Sequence, residues 1–174
     1  MFVVLGTLLV VATCGGLAQA QGGAEYQVKA AYLYNFGKFV EWPADAFEGS
    51  SAPFRICILG DSPFDRNMER ALTGRKIQAH PVQVIYPDSI TQSRKCHVLF
   101  ISASESGHAK AIVAGVSVNA VLTVGDTSGF VRDGAMINFI VKDEAVRFEI
   151  NSQAATRARL KISSKLLVLG TTAR

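Results

Sequence analysis

The sequence predicts an α/β fold, a single domain with a largely parallel sheet flanked by helices and a C-terminal antiparallel hairpin. Three observations predict it. Short apolar runs of strand length alternate with segments of helical periodicity. The last part of the chain instead carries two β-rich runs, Met136–Val141 and Val146–Ile150, joined by the polar turn Lys142-Asp143-Glu144, which reads as a hairpin. Finally, 174 residues with 49% hydrophobic and 18% charged side chains suit one globular core, and no repeat, linker or low-complexity segment divides the chain.

In chain order, residues 1–20 read as a signal peptide and residues 21–174 as the domain. Met1 to Ala20 carries no charged side chain, and its apolar stretch, Phe2–Ala12, is too short to span a bilayer. Ala18-Gln19-Ala20 supplies the small side chains that the signal peptidase pockets accept. The leader departs from the usual pattern in lacking a Lys or Arg before the apolar run. Cys14 offers a lipid-anchor alternative, but Ala12-Thr13 matches that motif poorly. Export follows either way, and the mature protein is expected to be soluble and periplasmic.

Residues 24–41 predict an amphipathic helix with Val28, Tyr32, Phe36 and Phe39 or Val40 on one stripe, closed by Trp42-Pro43. Phe54–Leu59 reads as a strand ended by Gly60. Asp61 or Ser62 is expected to cap a second helix carrying Phe64, Met68 and Leu72, with Gly74 as its stop. Val82–Tyr86, preceded by Lys76-Ile77, and Cys96–Ile101 are the next strands. A weaker helix over 104–115 buries Ala109, Ile112 and Val113, and Ala120–Val124 is a further strand. After the hairpin come an Ala-rich helix, Ser152–Leu160, and a Leu166–Leu169 tail that suits either helix or strand.

Charge and residue type narrow the function classes. The net charge of +4 is not concentrated: Arg157, Arg159, Lys161 and Lys165 are separated by neutral residues, so no basic stripe for nucleic acid exists. Gly60-Asp61-Ser62 suggests an envelope hydrolase, but a nucleophilic Ser needs a general base, and His80, His97 and His108 all precede the last third where such a base is expected. Cys96 and His97 are adjacent on a strand and point to opposite faces, so they cannot share a metal or a proton. No spacing of a zinc site occurs, and neither a metal nor a cofactor is expected.

Gly125-Asp126-Thr127 repeats the pattern of Gly60-Asp61-Ser62 after another apolar run. If both strands are parallel, Asp61, Ser62, Asp126 and Thr127 emerge at one sheet edge and line a ligand pocket. The alternative is two independent turns. Tyr32, Tyr34, Phe36, Phe39 and Trp42 form the densest aromatic stretch; Tyr34 falls off the buried stripe, so Tyr34 and Trp42 are the candidate partner-binding residues. Cys57 and Cys96 sit in strand-like runs of an exported chain. They read either as a disulfide closing a 39-residue separation, stabilising by roughly 3–4 kcal/mol in the chain-entropy model, or as two buried thiols.

These runs together carry a resemblance. Lys29-Ala30-Ala31-Tyr32-Leu33-Tyr34-Asn35-Phe36, Lys38-Phe39-Val40-Glu41-Trp42-Pro43 and Ile56-Cys57-Ile58-Leu59-Gly60 stand in order. They are followed by Cys96-His97-Val98-Leu99-Phe100-Ile101, Val121-Leu122-Thr123-Val124-Gly125-Asp126 and Ile162-Ser163-Ser164-Lys165-Leu166-Leu167. The chain resembles the YfiR-like family of periplasmic proteins over nearly all of its mature length. The resemblance implies a dimeric, non-enzymatic inhibitor that binds the periplasmic part of an inner-membrane diguanylate cyclase and keeps cyclic di-GMP low. It also implies release by an OmpA-like outer-membrane lipoprotein. It makes Cys57 and Cys96 one of the family's disulfide pairs, while the stretch 131–138, where a second pair is found in the family, holds no Cys here. A small-ligand sensor is the alternative reading, with an envelope hydrolase behind it.

Overall fold

The computed structural model describes residues 16–64 and 67–172. Residues 1–15 of the expected leader, with Cys14, lie outside them, and the expected cleavage point after Ala20 falls within the first helix, α1 (Gly16–Phe39). The short strand β1 (Val40–Glu41) follows directly, because its backbone pairs antiparallel with β9 (Lys161–Ile162). That pairing ends the helix before Trp42-Pro43 does. The buried line of α1 also differs from the expected stripe: Val28 is 44% exposed, and Lys29, Ala30, Leu33 and Phe36 face inward. A helix whose inner face includes a lysine buries that charge only with a partner.

The core of the sheet is parallel. β2 (Phe54–Leu59) lies between β4 (His80–Ile85) and β5 (Val98–Ile101), and β6 (Leu122–Gly125) and β7 (Ile137–Lys142) continue the parallel series. β3 (Lys76–Ile77) adds antiparallel to β4, and β8 (Ala145–Ile150) closes the expected hairpin with β7 in the register Asn138↔Glu149 and Phe139↔Phe148. β10 (Thr171–Thr172) pairs with β8, giving the order β10-β8-β7-β6-β5-β2-β4-β3. Strand order reverses at β2 and β5, and such reversals leave a crevice at the carboxyl ends of the strands.

Alternation along each strand feeds two cores. Phe54, Ile56, Ile58, Val98, Phe100, Leu122, Val124, Ile137 and Phe139 face α1, α2 (Asn67–Leu72), α5 (Ser152–Arg157) and α6 (Ser164–Leu169). Cys57, Leu59, Leu99 and Ile101 face α3 (Ile90–Ser93) and α4 (Ala109–Val116) on the other side. Ala109, Ile112 and Val113 are buried as expected, although a 3-10 turn over Ala103–His108 replaces the first part of the expected helix. The tail is helical because Ser163 caps it, accepting from the Leu166 N–H.

One local expectation is corrected. Neither Asp61 nor Ser62 caps α2: both lie in a non-helical turn, where the Ser62 hydroxyl accepts from the Phe64 N–H at 3.3 Å and donates to the Phe64 carbonyl at 3.0 Å. The polar connection after β4 forms α3 on a Ser89 cap. Gly60 stands at φ +87°, and a Cβ there would meet Ser104 Oγ at 2.5 Å, so the exit from β2 requires glycine.

Candidate functional site

Two concavities flank α1. The first is a groove of about 500 Å3 between α1 and α2, floored by Ala30, Ala31, Phe64, Met68, Ala71 and Leu72. Alanines on both helices let the groove reach the larger side chains beneath them. Its polar end is built on Tyr34, whose hydroxyl donates to the Lys76 carbonyl at 3.0 Å. Lys38 Nζ lies 5.6 Å from the centre of the Tyr34 ring and the Arg75 guanidinium 5.4 Å from it, within cation–π range. Arg75 is fixed in turn by donating to the Ala71 carbonyl at 2.8 Å. The groove therefore joins an apolar floor to a rim of two cations around one aromatic ring.

The second concavity, about 450 Å3, lies where β6 ends and the longer β7 runs on. Asp126 stands at that end with its side chain 6% exposed, and Lys29 of α1 donates to its Oδ2 at 2.7 Å. Tyr26 donates to the same oxygen at 2.8 Å, and Glu25 holds Lys29 Nζ from the other side at 2.6 Å. Lys29 also sits 4.3 Å from the Tyr26 ring centre. Burial, then the Asp126 carboxylate, push the Tyr26 hydroxyl well above its ordinary pKa, so it remains a donor. The buried lysine thus has its partners, and α1 is fixed to the carboxyl edge of the sheet by charge as well as packing.

The four residues expected to share one pocket are placed differently. Asp126 lines this cavity, but Asp61 and Ser62 do not. The Asp61 N–H is held by Ser104 Oγ at 2.9 Å over the end of β5. Thr127 follows Asp126 and is half-buried. Of the two candidate aromatics, Tyr34 lines the groove, whereas Trp42 turns inward: it meets the Phe54 ring edge-on at 5.0 Å, and its indole N–H donates to the Ala120 carbonyl at 2.9 Å.

The remaining chemistry-bearing groups are engaged elsewhere. Cys57 and Cys96 are disulfide-bonded with Cα atoms 5.9 Å apart, and both are buried on the α3–α4 side. His97 packs against the rings of Phe47 and Phe54; its Nδ1 accepts from the Arg55 N–H at 3.0 Å, and its Nε2–H donates to the Ala46 carbonyl at 3.2 Å. His80 stacks on Phe47 and bonds the Ala52 carbonyl at 2.7 Å, and His108 faces Glu105 at the surface. None of the three bonds Ser62. Among the described residues, no three His, Cys, Asp or Glu side chains gather as a metal site would need, and no helix is long and apolar enough to cross a membrane.

Sequence reasoning missed Lys29, Tyr26, Lys38, Arg75 and Asn138. Two of these had a readable signal: Lys29 stands four residues before Leu33 on the inner line of α1, and Asn138 interrupts the apolar run Met136-Ile137-Asn138-Phe139-Ile140. A polar group in such a position needs a partner.

The model of the family described as YfiR/HmsC-like matches residues 26–171 of this chain. No curated protein matches. Among solved structures, the fold is similar to that of a conserved domain protein from Vibrio cholerae O1 biovar El Tor str. N16961, with a TM-score of 0.52 and 10% identity. That likeness covers 70% of this chain and 55% of the other, so the chain spans about half of that protein's length.

Proposed function

Since the chain belongs to the YfiR/HmsC-like family, whose role is that of a periplasmic regulator, we propose that it represses an inner-membrane diguanylate cyclase by direct contact. The contact would be made through the α1–α2 groove, and export by a leader ending at Ala20 is part of the same reading, as are a homodimer and release by an OmpA-like outer-membrane lipoprotein. One observation supports it above the rest: the groove presents an apolar floor beside Tyr34, Lys38 and Arg75, a combination suited to an acidic, amphipathic segment of a partner protein. Repression by binding requires only that the partner's inactive conformation is held more tightly than its active one. Competition for the free inhibitor then relieves it.

The experiment is a measurement of cellular cyclic di-GMP. Deleting the gene is expected to raise it, and wild-type protein to restore it. Complementation with Lys38→Glu/Arg75→Glu is expected to leave it raised, with an unchanged thermal midpoint showing that the variant folds. Full repression by the double variant would remove the groove from the account; no rise on deletion would remove the regulator.

A further inference from the structure

The groove between α1 and α2 has a length, a lining and a charge that together define its occupant. Along α1 it follows one stripe, Tyr26, Ala30, Tyr34 and Lys38, spaced by four residues. At 1.5 Å per residue the stripe is roughly 18 Å long, a little over three helical turns. Ala31 of α1 and Ala71 of α2 also line the groove and are both exposed, while Phe64, Met68 and Leu72 are buried beneath. Small side chains on both walls let another helix come close, since the distance between packed helices is set by the side chains at their contact.

The main chain of the walls is already engaged. Tyr26–Lys38 and Asn67–Leu72 are helical, and the Thr73 and Arg75 N–H groups donate to the Glu69 and Leu72 carbonyls. The Lys76 carbonyl accepts from the Tyr34 hydroxyl. An extended segment laid here would bury its own N–H and C=O groups with no ladder to join, whereas a helix brings its main chain already bonded. Charge adds a direction. Among the described residues the lining holds no carboxylate, and Lys38 and Arg75 stand together around Tyr34 at one end. The other end is apolar, where the Tyr26 ring meets Phe64 edge-on at 5.4 Å.

We infer that the groove receives a single α-helix of about three turns from the repressed partner. Its apolar side chains, at i, i+3 or i+4 and i+7, rest over Ala31 and Ala71, and a carboxylate at one end meets Lys38 and Arg75. This inference rests on the reading of the groove as the contact surface and adds the conformation and polarity of what binds there.

The test is to place photo-cross-linking residues at positions 27 and 35, which line the groove eight residues apart on α1, and to map the adducts formed in the intact envelope. Both are expected on one partner segment, about eight residues apart, because a helix laid along α1 has the same rise. Ala31→Leu/Ala71→Leu fills the groove at two exposed helical positions without changing its charge. It is expected to leave cyclic di-GMP as high as in the deletion strain, with an unchanged thermal midpoint. Adducts about four residues apart, the span of an extended chain over the same distance, overturn the helix and leave the groove in the account. So does full repression by the leucine pair. No protein adduct from either position, together with full repression by Lys38→Glu/Arg75→Glu, removes the contact surface itself. If the leucine pair lowers the thermal midpoint, the adduct spacing decides alone.

Discussion

His97 packs against the rings of Phe47 and Phe54 at 4.5 and 4.8 Å, with both nitrogens engaged as a neutral imidazole. Burial pushes its pKa from 6.5 down to about 4, against a smaller opposing effect of the Ala46 carbonyl. The unfolded chain therefore takes up this proton near pH 6.5 and the folded protein only near pH 4. The associated stability is complete above pH 6.5 and is lost as pH falls towards 4, by up to about 3 kcal/mol. The imidazole proton resonances of His97 are expected not to move between pH 8 and 5. Movement of His97 with an ordinary midpoint would contradict this placement. At this scale the sequence was informative where the chemistry is self-contained. Cys57 and Cys96 could be read as a pair, and Tyr34 as lying off the buried stripe. Trp42 could not be placed, because its partner, the Ala120 carbonyl, is 78 positions away. Lys29 hid behind the same difficulty: its meaning depends on Asp126, which only folding brings near.

Two elements carry stability that can be measured separately. The disulfide ties the start of β5 to the middle of β2 across 39 positions. Cys57→Ala/Cys96→Ala is expected to cost about 2–4 kcal/mol in urea unfolding, and a loss below about 1 kcal/mol would mean that packing alone holds this face. The β7–β8 hairpin turns through Asp143 at φ +52° and Glu144 at φ +57°, a pair of left-handed residues with no glycine. Two-residue turns of this geometry match the strand twist but favour Asn-Gly. Glu144→Gly is expected to raise stability by roughly 0.5–1 kcal/mol by relieving strain, read as a higher thermal midpoint; a lower midpoint would place the turn elsewhere. The hairpin and the parallel strands were legible because their alternation is local. The end of α1 was not, since it is set by a tertiary contact, β9 against β1; the 3-10 turn over 103–108 was not, since it rests on one weak local bond, the Ser104 N–H donating to Ser102 Oγ.

At the scale of the whole molecule, α1 is the element on which everything meets. Its one side supplies Tyr34 and Lys38 to the groove, and its other supplies Glu25 and Lys29 to the cavity, with Lys29 anchored on the sheet edge through Asp126. The alternation of runs along the chain implied this layered sheet, but not which face α1 would cover or that it would stand between two concavities. The central claim is that the groove is a contact surface for a membrane cyclase. It is tested most directly by placing a photo-cross-linking residue at position 34 in the mature protein and illuminating the intact envelope. The account predicts a covalent adduct with the periplasmic part of an inner-membrane diguanylate cyclase, lost in the Lys38→Glu/Arg75→Glu background. A well-expressed protein that yields no such adduct from position 34, while a cross-linker on the opposite, α4 face captures the cyclase, would contradict it.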